Sequence, residues 1–179
     1  DRTVGINERP QPEFLRKLGA TFGFTPPQTP GLDTLATISG MSDGSVRAFV
    51  AIGGNFAAAT PDTPHTEAAL RRCDLTVQVS TKLNRSHLVH GREAFILPCL
   101  GRTEADLQNG VPQCVTVEDS MSMVHASTGR KAPASIHLRS EPAIVAGMAK
   151  AALGPDGGGI PWDDLIADYG RRWKVSAVL

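Results

Sequence analysis

Cysteine is scarce in this chain, and its scarcity excludes two classes of small protein. Of 179 residues only Cys73, Cys99 and Cys114 are cysteine, an odd count with no CxxC pair. A disulfide framework or a structural zinc site would need more thiols at closer spacing. Cys73 and Cys114 read as small buried hydrophobes, and Cys99 as a residue near a binding face without a ligand role. His87 and His90 alone make a poor metal site, so no metal-ligating residue is assigned, and no catalytic dyad is visible. Net charge is absent too, with Lys plus Arg and Asp plus Glu at 18 each. A neutral chain has no global field to gather nucleic acid or a membrane surface. There is no membrane span, signal peptide, internal repeat or coiled-coil heptad. Free thiols suit reducing surroundings, which makes the cytoplasm the expected compartment.

What the chain does have is 41% hydrophobic content, enough to build a core in one domain. The most informative stretch is Phe49-Val50-Ala51-Ile52-Gly53-Gly54-Asn55-Phe56, an apolar strand that breaks into paired glycines and an asparagine. Two glycines can take backbone angles that a Cβ forbids and let a phosphate or sugar approach the main chain. Gly-Gly-Asn is also ordinary turn chemistry. A second apolar strand, Leu75-Thr76-Val77-Gln78-Val79, runs into Ser80-Thr81-Lys82-Leu83-Asn84-Arg85-Ser86-His87. Between them Thr63 reads as an N-cap, Pro64 as the first helical residue, and Ala68, Ala69, Leu70 and Cys73 as a common stripe. Strand, helix and strand within roughly 30 residues form a βαβ unit with parallel strands, and ligands of such sheets bind beyond the carboxyl ends of the strands. A third strand is expected at Glu93-Ala94-Phe95-Ile96-Leu97-Pro98 and a fourth over 114–117. The fold class is therefore α/β, a Rossmann-like three-layer αβα domain with a mostly parallel sheet.

These motifs resemble the molybdopterin-dependent oxidoreductases of the dimethyl-sulfoxide reductase superfamily, in their formate dehydrogenase-like alpha-subunit branch. The resemblance rests on Thr3-Val4-Gly5-Ile6, Phe22-Gly23-Phe24, Gly53-Gly54-Asn55-Phe56, Ser80-Thr81-Lys82-Leu83-Asn84-Arg85-Ser86-His87, Leu97-Pro98-Cys99-Leu100-Gly101-Arg102-Thr103-Glu104, Val117-Glu118-Asp119-Ser120-Met121 and Leu138-Arg139-Ser140-Glu141. It implies that Gly53, Gly54, Asn55, Phe56, Ser80, Thr81, Lys82, Asn84, Arg85 and Arg102 hold one guanosine end of a bis(molybdopterin guanine dinucleotide) cofactor carrying molybdenum. In such enzymes the redox chemistry belongs to the cofactor. The molybdenum ligand and any iron–sulfur cluster would come from segments outside these 179 residues. The chain then reads as an internal fragment, inactive alone, whose partners are the remaining domains of the same polypeptide and an electron-transfer subunit. Its start at Asp1 rather than Met fits that expectation.

The residues themselves leave alternatives open. Asn55 serves a ribose or phosphate, or only turn geometry. Lys82, Arg85, Arg92 and Arg102 against Glu93 alone form a basic patch that suits a diphosphate, or a solvated edge. Glu104 is expected to fix loops rather than move protons, and Asp119 to cap a helix or accept from guanine. Two rival functions remain: a stand-alone Rossmann-like NAD enzyme, and a non-enzymatic interaction module. The first is disfavoured because Gly53-Gly54-Asn55-Phe56-Ala57-Ala58 departs from GxGxxG and Ser80 stands near the place of the expected acid.

Along the chain, a helix is expected from Pro12 with Phe14, Leu15, Leu18 and Phe22 as its stripe and Gly23 closing it. Asp33 should cap a second helix whose Leu35, Ile38 and Met41 face the core, and Asp43-Gly44 should turn into the first strand. Residues 121–127 read as a short helix or an irregular loop. Ser140 should cap a helix carrying Ile144, Val145, Met148 and Leu153. The cofactor-binding domain would span 1–154, and 155–179 would be a flexible link plus a helix with Trp162, Leu165, Ile166, Tyr169 and Trp173. That helix packs either on this domain or on a missing one.

Overall fold

A computed structural model describes residues 9–154 and 157–170. The expectations for Thr3-Val4-Gly5-Ile6, for the Phe22 side chain and for residues 171–179, Trp173 among them, lie outside the described residues.

Helix α1 (Pro12–Phe22) has proline in its first turn and ends at Gly23, whose φ of 71° closes the helix through a bond to the Gly19 carbonyl. After the proline-rich connector, Asp33 starts α2 (Thr34–Asp43) by accepting the Ala36 N–H at 2.8 Å. Gly44, at φ 87°, then turns the chain toward β1 (Ala48–Ile52). Ile38 and Met41 are buried as expected, but Leu35 is 68% exposed and does not face the core. The short α3 (Phe56–Ala59) and then α4 (Thr63–Leu70) lead to β2 (Leu75–Ser80). Thr63 is not the N-cap of α4. Asp62 is, accepting the His65 N–H at 2.9 Å, because its carboxylate is one residue earlier and a stronger acceptor. On α4, Ala69 and Leu70 are buried with Cys73 just beyond, whereas Ala68 is exposed and Thr66 takes the remaining inward position.

The strand β3 (Glu93–Pro98) completes a three-stranded sheet in the order β1-β2-β3. Both pairings are parallel, so the expected βαβ unit is present and the fold is of the Rossmann-like α/β class. Helices α2, α3 and α4 cover one face. Their core joins Ile38, Met41, Ala57, Ala69, Leu70, Cys73 and Val89, with Val46, Phe49 and Phe56 packed against it. All three strands run the same way, so β1, β2 and β3 deliver their carboxyl ends to one rim.

Beyond that rim the chain builds two small antiparallel pairs, β4 (Leu107–Gln108) with β5 (Val111–Pro112), and β6 (Val115–Glu118) with β7 (Val124–Ser127). The fourth strand is therefore real but pairs with β7 in a hairpin rather than joining the parallel sheet. Residues 121–127 are neither helix nor irregular loop: they are a turn and the returning strand. Asp119 caps no helix. Its carboxylate accepts the Met121 and Met123 N–H groups at 2.9 and 3.0 Å and meets His125 Nε2 at 2.8 Å, which closes the hairpin. Next, α5 (Glu141–Leu153) starts after Ser140, which stands in the cap position without a side-chain capping bond. Helix α6 (Trp162–Ala167) follows and packs on α5, with Lys150 Nζ 2.7 and 2.8 Å from the Asp163 carboxylate oxygens.

Met41 is fully buried, so Met41→Ala should lower stability by about 2–5 kcal/mol through lost contact and a residual cavity. Leu35→Ala should stay within about 0.5 kcal/mol. Urea midpoints of the two variants check this, and equal losses would contradict the packing described.

Candidate functional site

Two loops meet at the rim. Gly53 extends the ladder past β1 by donating its N–H to the Val79 carbonyl at 2.8 Å, then Gly53 and Gly54 take φ of 67° and 70°. Left-handed values at consecutive residues explain the paired glycines, since a side chain at either would be strained. A Cβ built at either would meet nothing within 4 Å, so the turn faces open space. Opposite it, Asn84 donates its side-chain N–H to the Gly54 carbonyl at 2.7 Å and accepts the Ser86 N–H at 2.9 Å. Ser86, buried to 1% exposure, donates its hydroxyl to Asn55 Oδ1 at 2.8 Å and accepts the Ala57 N–H at 2.9 Å. Asn84 N–H donates to His87 Nδ1 at 3.0 Å, which leaves the proton of the neutral ring on Nε2. The side chains of Asn55, Asn84 and Ser86 thus lock the two loops to one another.

The other residues expected at the site divide between several tasks. Ser80 Oγ donates to the Lys82 carbonyl at 2.6 Å, shaping the turn after β2. Phe56 lies against Phe49 with ring centroids 4.8 Å apart, which makes it part of the core. Arg85 binds Glu67 Oε1 through Nε and a terminal nitrogen, both at 2.9 Å, and this hydrogen bond is the largest cause holding the Glu67 carboxyl below its usual range. Thr81, Lys82 and Arg102 line a cavity of about 930 Å³ between the ends of β2 and β3, the small hairpins and the start of α5. Lys131 adds a third cation to its wall, and none of these three cationic side chains forms an ion pair among the described residues. Gly53, Gly54 and Asn55 are not in its lining.

Glu104 organises the cavity wall. Its two carboxylate oxygens accept the N–H groups of Gly101 and Ala134, each at 2.6 Å, and these bonds hold its carboxyl below the usual range. It fixes loops, as its position after the third strand suggests. The segment after β7 comes so close that a Cβ on Gly129 would fall 1.8 Å from the Glu104 carbonyl oxygen. On the far side, Tyr169 donates to Asp106 Oδ2 at 2.5 Å, and burial together with this bond pushes its phenol well above the usual range. Gln113 accepts the Gly170 N–H at 2.9 Å, and the half-buried Cys114 thiol donates to the Gly170 carbonyl at 3.2 Å. The segment after α6 is therefore fastened to the hairpins of its own chain. Sequence reasoning missed Lys131, Asp106, Gln113 and Tyr169 as wall residues; Tyr169 was expected on the stripe of the last helix, but α6 ends at Ala167 and Tyr169 turns to the cavity wall instead. Among the described residues no group of three or more His, Cys, Asp or Glu could hold a metal ion, and no helix is long and apolar enough to cross a membrane.

No protein-family model matches the chain. It is 57% identical over 180 residues to an uncharacterized oxidoreductase of Mycobacterium tuberculosis (strain ATCC 25618 / H37Rv). It is 51% identical over 180 residues to protein YdeP of Escherichia coli (strain K12). The whole chain is aligned in both cases, yet it covers 23% and 24% of those proteins. The chain thus spans about a quarter of the length of the curated relatives it matches.

Because the Glu104 carboxylate is held below its ordinary range, the stability it contributes is present above the unfolded-state value of about 4.3 and fades as pH falls through the lower folded value. Glu104→Gln should therefore melt earlier than the parent at neutral pH, and the gap should narrow on acidification below about pH 4. Melting curves across pH check this; a gap that stays constant with pH would contradict it.

Proposed function

We propose that this chain is part of a larger molybdopterin-dependent oxidoreductase, formate dehydrogenase-like, and seats a guanine dinucleotide end of its bis(molybdopterin guanine dinucleotide) cofactor. The observation that carries this reading is the clasp of Asn84 on the Gly54 carbonyl at 2.7 Å, which sets a glycine turn and a polar loop side by side at the carboxyl rim of a parallel sheet. Fifty-seven per cent identity to a protein named as an oxidoreductase supports a redox setting.

The residues fit such a group. Gly53 and Gly54 leave room where a side chain would stand, so a sugar or phosphate can lie against the main chain. The N–H groups of Gly54 and Asn55 enter none of the hydrogen bonds formed among the described residues, so both can donate to an anionic oxygen. Lys82 and Arg102 at the cavity wall supply positive charge for a diphosphate, Lys82 as a point charge and Arg102 as a planar fork. Asn55, Asn84 and Ser86 position the turn through their mutual bonds, and Arg85 steadies the loop through Glu67. When bound, the cofactor supplies the two-electron redox chemistry and the protein supplies orientation. The metal ligand, any iron–sulfur cluster and the electron-transfer partner belong to the rest of the polypeptide and its assembly, and the cytoplasm is the proposed compartment. The residues at the end of β2, Ser80-Thr81-Lys82, include no acid for the ribose of NAD, and Ser80 turns its hydroxyl onto the Lys82 carbonyl.

The test uses the full-length polypeptide. Denaturing it should release guanine nucleotide together with molybdenum. In Lys82→Ala/Arg102→Ala, nucleotide retention should fall about tenfold or more at an unchanged melting temperature, since charged hydrogen bonds contribute about 1.5–3 kcal/mol each. Release of adenine nucleotide, or of no nucleotide from the parent, would overturn the proposal.

A further inference from the structure

His87 lies outside the cavity lining, and its ring bonds to one residue only, Asn84. A single turn of 3₁₀ helix, Arg85–Leu88, follows the polar loop after β2, with Asn84 in its cap position. Four residues make a weak helix by themselves, because such a turn fixes several backbone angles for few hydrogen bonds. Side chains hold its start instead. Asn84 Oδ1 accepts the Ser86 N–H at 2.9 Å, and His87 Nδ1 accepts the Asn84 N–H at 3.0 Å. The pair is a capping box in which an imidazole stands where Glu or Gln is usual. His87 Nε2 is buried and forms no hydrogen bond among the described residues, so the bonds of the ring run through Nδ1.

Asn84 carries that constraint to the rim. It gives its side-chain N–H to the Gly54 carbonyl at 2.7 Å, while Ser86, inside the same turn of helix, joins Asn55 Oδ1 and the Ala57 N–H. We propose that His87 is a positioning residue of the rim: its Nδ1 fixes the Asn84 backbone, and Asn84 in turn fixes the Gly53–Gly54–Asn55 turn. Without Nδ1 the Asn84 N–H loses its acceptor, the residue can rotate, and the Gly54 carbonyl loses its donor. The functional consequence rests on the nucleotide reading above, because the Gly54 and Asn55 amides are the groups whose placement His87 secures. A cap that served stability alone would lower the melting temperature and leave these two loops no looser than the rest of the chain.

Three variants of the full-length polypeptide test this. His87→Phe keeps a ring and His87→Ala removes it, both without an acceptor, whereas His87→Gln restores one in the usual capping-box form. Amide hydrogen exchange of Ser86 and Ala57 should run about three- to tenfold faster in His87→Phe and His87→Ala, the effect of one neutral hydrogen bond, with Val77 and Val79 in β2 unchanged. His87→Gln should stay within about twofold of the parent. Guanine nucleotide should leave the two acceptor-free variants faster by a similar factor, and leave His87→Gln at the parent rate. Unchanged exchange at Ser86 and Ala57, a uniform rise that includes Val77 and Val79, unchanged nucleotide release where exchange has risen, or a His87→Gln as loose as His87→Ala would each overturn the proposal. Exchange is read without reference to nucleotide, so a parent that carries none refutes the cofactor reading while the amides still decide on His87. If one acceptor-free variant does not fold, the other is read against His87→Gln.

Discussion

One side-chain amide ties together the two loops at the carboxyl rim of the sheet. Asn84 reaches across from the loop after β2 to the Gly54 carbonyl of the loop after β1, and Ser86 ties the same two loops through Asn55 and the Ala57 N–H. Parallel strands bring their carboxyl ends to one edge but do not specify how the following loops sit. A hydrogen bond contributes only about 0.5–1.5 kcal/mol net, and among these bonds the one from the Ala57 N–H to the Ser86 hydroxyl is buried, so that breaking it would leave a buried group unpaired and the linked bonds favour one loop geometry together. The left-handed Gly53 and Gly54 conformations, the short α3 and the polar turn after β2 all follow from that geometry.

The cavity beside this clasp depends on a different arrangement. Glu104 gathers the backbone N–H groups of Gly101 and Ala134, and Gly129 allows its own segment to come within reach of the Glu104 carbonyl. Tyr169 and Gln113 then draw the segment after α6 onto the hairpins. Of the three acids in the wall, Glu104 and Asp106 are engaged by donors and Glu141 stands at the start of α5, while Lys82, Arg102 and Lys131 form no ion pair among the described residues. The wall keeps cationic side chains available at the rim of a chain whose overall charge is balanced.

Much of this was legible residue by residue where the determinant is local. Asp33, Gly23 and Gly44 each do what a cap or a left-handed glycine does, and the apolar runs of β1, β2 and β3 form the parallel sheet that a βαβ pattern requires. The departures have local causes too: Asp62 outcompetes Thr63 as a cap, and Asp119 folds a hairpin where a helix start was expected. At the rim, the paired glycines announced the turn, but nothing in their neighbourhood announced that Asn55 and Asn84 would bond to the opposing loop. Contacts between Tyr169 and Asp106, or Gln113 and Gly170, join residues more than fifty positions apart, and periodicity carries no information at that range. Leu35 reads as a core residue by spacing alone, and its exposure reflects which side of α2 meets the sheet.

The rim and the cavity belong to one Rossmann-like unit, and the chain spans about a quarter of the length of the relatives it matches. One side of the sheet packs its own helices, and the edge presents glycine amides and cations. A density map of the full-length polypeptide, purified with whatever it carries, would place a guanine nucleotide with phosphate or ribose oxygens within hydrogen-bonding distance of the Gly54 and Asn55 amides and near Lys82. A nucleotide found elsewhere, or the same space filled by apolar side chains of the polypeptide itself, would contradict that picture.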